Sequence, residues 1–391
     1  MKAITNARIY TMAGQVIERG TVSWQGSSIT GVSDQLLAPS SDVFDAQGGS
    51  LLPGLINAHC QAGLKESLLD YVAGDDSNES SFPVTPQLNP VHGINPADPV
   101  FAAMLSQGIT TVAVAPGSIN VLGGSVAVLK TCGSTVDEMV IKNSAGIKAA
   151  IGDDPKQFYR AKPFVPQTRM NTMAMLRENF FATRDYLQAK DLADISIMPP
   201  YNAITESLAP VLEGELPLFV HANRRDDIHS ALRLAREFNL KLILVNAAEA
   251  HLLAEKLAAA QVKCILSPGL KSRSKFELQE LCWQAPALLS AAGVELTVVP
   301  DSNVLPANEL TAMATMLRKN GYTLEQVIAM LTIKPARILN IENKVGSIEV
   351  GKNADLILYN NEPFSFKEAI KKVIVNGQEC LSKGGEQVAT D

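Results

Sequence analysis

A change of hydrophobic period along the chain constrains the fold more than any other feature. Between roughly residues 53 and 343, short apolar runs alternate with stretches of helical spacing, whereas both ends keep strand character alone. The central runs are GITTVAVA (108–115), LPLFVH (216–221), KLILVNA (241–247), KCILSP (263–268) and VELTVVPD (294–301). They are interleaved with MNTMAMLRENFFATRDYLQAK (170–190), DDIHSALRLAREF, AEAHLLAEKLAAA, QELCWQAPALLSAAG and ANELTAMATMLRKNG, whose apolar residues recur at helical spacing. A repeated strand-then-helix pattern predicts parallel β/α units, since a parallel strand pair needs a long crossover. About eight such units in roughly 290 residues predict a (β/α)8 TIM barrel. An open doubly wound sheet is the alternative, disfavoured because no GxGxxG fingerprint follows a first strand.

The flanks differ. ITNARIYTM, TVSWQGSSITGVS and VFDAQGG at the start, and VGSIEVGKNADLILYN and KKVIVNGQEC at the end, read as strands broken by turn residues. The segment 60–100 is long, polar and rich in Pro, Ser, Asn and Asp. It follows the first barrel strand directly, which predicts a loop at the face where barrel active sites sit. GSINVLGGSVAVLK (117–130) is Gly-rich, and reads equally as an anion-binding loop or a structural turn.

Composition excludes several classes. Hydrophobic residues make up 46% and charged residues 19%, as in a globular protein, and the net charge of −6 argues against nucleic acid as a partner. No apolar run reaches the roughly 18–20 residues of a membrane span, and MKAITNARIYTM lacks the apolar core of a signal peptide. The five cysteines, at 60, 132, 264, 282 and 380, form no CxxC pair. A cytoplasmic protein without membrane or nucleic-acid partners is expected.

Each central run hands over to its loop at a polar side chain. These are His59 and Gln61 in PGLINAHCQAG, His221 in FVHANRRDD, Asn246 in LILVNAAEAH and Asp301 in TVVPDSNVLP. Two imidazoles and a carboxylate are ligands for a zinc-like divalent ion. Arg224 and Arg225, and Arg273 in KSRSK, would bring cations to the same mouth and suit a carboxylate substrate. No GxSxG motif is present.

These residues resemble the amidohydrolase superfamily, in particular its imidazolonepropionase-related branch. PGLINAHCQAG is similar to the family's PGxIDxHxH strand, and TIKPARILNIENKVGSIEVGKNADLILYN to its C-terminal signature, with Lys334 in place of an Asn. The resemblance covers essentially the whole chain. It implies a composite β-sandwich from residues 1–52 and 344–391 around a barrel of residues 53–343. It further implies His59, His221 and Asp301 as metal ligands, Asp301 also as catalytic base, and Asp153 of GDDPK as a further carboxylate. The sequence departs from the family where Gln61, Asn246, Ser302 and Gln87 replace histidines. Amide oxygens are weak zinc ligands, so one divalent ion is expected rather than two, and a metal-free site stays open. Gln61, Arg224, Asn246 and Arg273 are then expected to bind substrate. The expected function is hydrolysis of a non-peptide C–N bond in a small, carboxylate-bearing molecule. The alternative is a catalytically impaired small-molecule-binding protein, and relatives' habits suggest a homo-oligomer.

Overall fold

The computed structural model describes residues 1–65, 75–160, 166–192, 198–269, 275–300, 309–365 and 370–382. The first strands are β1 (Lys2–Tyr10), β2 (Val16–Gln25), β3 (Ser28–Ser33), β4 (Val43–Asp45) and β5 (Ser50–Pro53). The middle supplies β6 (Leu55–Cys60), β7 (Ile109–Val114), β8 (Leu122–Ser125), β9 (Ala127–Lys130), β10 (Val140–Lys142) and β11 (Ile147–Ala150). It continues with β12 (Leu218–His221), β13 (Leu242–Asn246), β14 (Lys263–Leu266) and β15 (Leu296–Val298). The chain closes with β16 (Leu356–Tyr359), β17 (Ile370–Val375) and β18 (Gln378–Ser382).

Both ends of the chain share one sheet. Its order is β18-β17-β16-β5-β1-β2-β3, with β4 paired to β1. The sheet curls over on itself. β2 and β17 are four strand spacings apart, about 19 Å if flat. Yet the Trp24 indole on β2 donates to the Gly377 carbonyl beyond β17 at 3.0 Å. Gly377 has a φ of 77° in the β17–β18 turn, and a Cβ there would meet the Gly26 carbonyl, so glycine is required. Ile4, Ile9, Val22, Leu51, Leu356 and Ile374 fill the space inside the curl.

The middle is α/β, with parallel strands as the alternation predicts. β11 to β15 run parallel in sequence order, and β6 pairs parallel with β7. Such strands are covered on both faces and so read as unbroken apolar runs; every residue of β7 and β12 is buried. Register aligns their C-terminal ends: Ala150 lies opposite His221, His221 opposite Val245, and Leu266 opposite Val298. The Gly-rich stretch 117–130 folds largely as β8 and β9. The helical pattern at 279–293 is shorter than its spacing suggests: the α-helix covers Ala285–Ala291, with Pro286 in its first turn.

The two parts are joined by a buried ion pair. Lys130 at the end of β9 donates to Asp355 just before β16, and both side chains are almost wholly enclosed, 2% and 4% exposed. Removing one partner leaves an uncompensated buried charge. Asp355→Ala is therefore expected to cost about 3–5 kcal/mol in urea unfolding, and the Lys130→Met/Asp355→Leu double variant distinctly less than that.

Candidate active site

The aligned strand ends open onto a cavity of about 440 Å³. β6 brings His59 and Gln61, β12 brings His221, β13 brings Asn246, and β15 leads to Pro300, all of which line it. The described part of the long polar segment contributes Asp75, Ser77 and Asn78. That segment is pinned by Asn120, whose amide donates to the Glu79 carbonyl at 2.9 Å and to Thr85 Oγ1 at 3.0 Å. A second cavity, about 470 Å³, lies between the helices Ala285–Ala291 and Leu324–Leu331, and none of the predicted site residues lines it.

Of the two adjacent carboxylates of GDDPK, the one that reaches the cavity is Asp154, next to the anticipated Asp153. Gly152 (φ 112°) turns the chain out of β11 into the helix Asp153–Arg160, and Pro155 sits in its first turn. Successive helical residues point about 100° apart, so the two carboxylates diverge. Asp153 is bound by Arg169 at 2.9 Å and Lys156 at 3.2 Å. Burial works to raise its pKa, but these cations hold the carboxyl below the usual range. Asp154 Oδ2 lies 3.3 Å from His221 Nε2, and its other oxygen accepts from Lys275.

His221 is the centre of a polar network. The Asn246 amide nitrogen lies 3.4 Å from Nδ1, and the Asn223 amide nitrogen lies 3.2 Å from Nε2 and 2.9 Å from Glu277 Oε1. A neutral ring that donates from Nε2 to Asp154 and accepts at Nδ1 from Asn246 satisfies these contacts, leaving the Asn223 hydrogens to Glu277. Asn246 adopts a left-handed backbone (φ 66°), as does Ala247 (φ 46°). Asn tolerates that region, whereas Ala there stores local strain beside the pocket. Burial, with the charges of Asp154 and Asp153, raises the Glu277 carboxyl above its usual range despite the Asn223 hydrogen bond.

His59 is different. Its Nε2 is buried and has no hydrogen-bond partner among the described residues. Burial, aided by the charges of Lys148 and His221, drives its pKa well below 6.5. It is therefore a neutral imidazole with an unsatisfied ring nitrogen, the form a metal or substrate requires. Lys148 in β11 is fully buried behind the cavity wall, its ammonium donating to Ser118 Oγ at 2.9 Å and the Gly117 carbonyl at 3.4 Å.

Asp301 and Arg273 lie outside the described residues. Asp301 directly follows Pro300, which lines the cavity. Arg224 is paired with Asp226 at 2.9 Å and lies over the Phe276 ring, and it is not among the cavity-lining residues. Lys65 and, through Asp154, Lys275 are the cations at the cavity instead.

The candidate metal-ligating group among the described residues is Asp154, His221 and Glu277, and His59 stands outside it. His59 offers an orphaned nitrogen, and ligand atoms of Asp154, His221 and Glu277 lie within 4.8 Å of one another. Gln61 and Asn246 offer only amides. Lys148, Asn223, Glu277 and Lys275 escape a sequence reading because none ends a strand in a motif. Lys148 hides within the apolar run IKAAIG.

The amidohydrolase family model matches residues 221–380. The solved amidohydrolase from Thermotoga maritima MSB8 is 32% identical and superimposes with a TM-score of 0.94, covering 98% of this chain and 100% of that one. Amidohydrolase tasK of Hapsidospora irregularis is 23% identical over 389 residues, 92% of this chain but only 39% of that protein's length. The imidazolonepropionase of Legionella pneumophila (strain Corby) is 24% identical over 376 residues, 88% of this chain and 87% of that one.

Lys148 makes the site electrostatically testable. Burial pushes its ammonium down from 10.5 to about 7, with Asp154 opposing. Between these values the unfolded chain binds the extra proton, so this group's contribution to stability rises with pH; below about 7 the full cost of the buried charge is present. Lys148→Met is expected to be more stable than the wild-type chain at pH 6, by urea midpoint, and to lose that advantage progressively toward pH 10.

Proposed function

Because this chain belongs to the amidohydrolase family, we propose that this hydrolase acts on a non-peptide C–N bond of a small, carboxylate-bearing molecule such as a cyclic amide. The observation that carries the reading is the convergence of His59, His221 and Asp154 from three separate strands or their loops on one cavity. A neutral, unsatisfied His59 imidazole is part of that set. About 440 Å³ suits a small ligand and excludes a folded partner.

His59 and His221, with Asp301 or Asp154, would hold one zinc-like ion. When bound, such an ion polarises a carbonyl and acidifies water. The protein's own groups would do the rest. Asp301 takes the proton from the attacking water and returns it to the leaving nitrogen. Asn246 fixes the ring of His221. Gln61 and Asn78 orient polar edges of the substrate, and Lys65 meets its carboxylate. Phe158 and Ile119 supply apolar wall. The reading includes the composite β-sandwich for the curled terminal sheet, a small molecule as the only partner class beyond a second copy of the chain, and a cytoplasmic setting. Among the described residues no helix is long and apolar enough to cross a membrane.

One observation favours a second reading. Asp154 is already paired with Lys275, and Glu277 accepts a hydrogen bond from the Asn223 amide, so two carboxylates of the cluster have partners without an ion. Those contacts support a metal-free binding protein as the second reading. Turnover separates the two. On a panel of hydantoins, lactams and N-acyl amino acids, the hydrolase reading expects at least one substrate. Asp301→Asn is then expected to lower kcat by about 10²–10⁴-fold. Thermal stabilisation by a panel member with no turnover of any would overturn hydrolysis in favour of binding.

A further inference from the structure

The candidate site leaves unused two thiols that the fold brings together from distant parts of the sequence. Cys132 follows β9 by two residues, and Cys380 lies in β18, 248 positions later. Their sulfurs are 3.0 Å apart, with the Cys380 thiol donating to Cys132, and both are unbridged. Cys380 is buried and Cys132 half-buried, so solvent reaches the pair at Cys132. The remaining cysteines differ. Cys60 and Cys264 are buried, and burial pushes both thiols up to about 12. Cys282 is half-buried and makes no sulfur contact among the described residues.

We propose that Cys132 and Cys380 form an oxidation site, which closes to a disulfide when a small peroxide-class oxidant reaches Cys132. The asymmetry of the pair assigns the roles. The hydrogen bond from Cys380 lowers the Cys132 pKa to about 7 against the opposing effect of burial, and the same bond, together with burial, raises that of Cys380. Cys132 is thus the attacking thiolate and Cys380 the resolving thiol. The Cys132 sulfur attacks one peroxide oxygen, and the O–O bond breaks to leave a sulfenic acid and hydroxide. Cys380 gives its proton to that hydroxide, its sulfur attacks the Cys132 sulfur, and the S–O bond breaks to release a second hydroxide, which takes up the proton Cys132 lost on ionising. Two electrons pass from the sulfurs to the peroxide, and the two thiol protons leave in two waters.

The bond would join parts already in contact. Lys130, two residues before Cys132, pairs with Asp355 beside β16, and β18 belongs to the same terminal sheet. Oxidation would therefore fasten the terminal sheet to the strands that carry the site. It also closes a very long loop, which constrains the unfolded chain most. Neither thiol lines the candidate active site.

The test uses the full chain, reduced, freed of reductant and exposed to stoichiometric hydrogen peroxide. Denaturing alkylation, digestion and mass spectrometry then follow. The expected product is one cross-linked peptide joining Cys132 to Cys380, lighter by two hydrogens, with Cys60, Cys264 and Cys282 alkylated. Its melting temperature is expected to exceed that of the reduced chain and to revert on adding dithiothreitol. Cys132→Ser is expected to abolish the cross-link, and Cys380→Ser to stop at a sulfenic acid trapped by dimedone. Full alkylation of both Cys132 and Cys380 in peroxide-treated wild-type protein overturns the proposal. So does Cys282 oxidising while the pair stays unbridged.

Discussion

The buried pair between Lys130 and Asp355 is the constraint on which the rest of the architecture hangs. Each of the three oxygens of Asp355 joins it to a separate element. One carboxylate oxygen takes Lys130 from the end of β9, the other takes the Asn376 amide at 2.8 Å, and its carbonyl takes the Gly54 amide at 2.9 Å. Gly54 sits between β5 and β6, and a Cβ there would collide with Thr110. The first site-bearing strand thus leaves the terminal sheet at a point fixed by backbone contact. A charge pair so enclosed adds little net stability over an apolar substitute, but its partners cannot be satisfied in another docking of the two parts. Its contribution is to orientation, and the position of His59 follows from it.

From that frame the cavity inherits an unusual charge pattern. Lys148 beneath it and His59 in its wall sit in surroundings that disfavour their protonated forms. Asp154 and Glu277 stand opposite, each with one nitrogen donor already in place. His221 lies between, in contact with Asp154 and with two amides. Lys148 pushed down to about 7 and a neutral His59, beside carboxylates that already have partners, set proton acceptors against proton donors at one cavity. That is what hydrolysis of a C–N bond needs from its protein. The same pattern gives Asn246 a place at the cavity through its contact with His221. Its amide is a weak metal ligand, and its contact with Nδ1 orients the His221 ring.

Much of this was legible in the sequence, and the reasons differ by element. The alternation of apolar runs and helical spacing revealed the parallel strands because burial on both faces writes itself as continuous hydrophobicity. His59, Gln61, His221 and Asn246 could be placed at one cavity because a strand end hands over abruptly to polar residues. Asp154 was missed in favour of Asp153, since the choice depends on the rotational phase of a helix that begins one residue after Gly152. Lys148 was hidden inside a strand whose other residues are apolar. Glu277, Asn223 and Lys275 meet only through the tertiary fold, and no local pattern marks them. The Cys132 and Cys380 contact spans most of the chain, so spacing could not disclose it. The Gly-rich stretch, read as an anion-binding loop or a structural turn, was drawn largely into β8 and β9 by pairing with neighbouring strands.

The account's central claim is that this pocket, despite Gln61 and Asn246, still holds one ion through His59 and His221. Elemental analysis of protein purified without chelator, and again after reconstitution with zinc and dialysis, tests it most directly. The account predicts close to one divalent ion per chain, falling sharply in His59→Ala and His221→Ala variants that keep the wild-type circular dichroism. Less than about a tenth of an ion per chain after reconstitution, or undiminished metal in both variants, would contradict it.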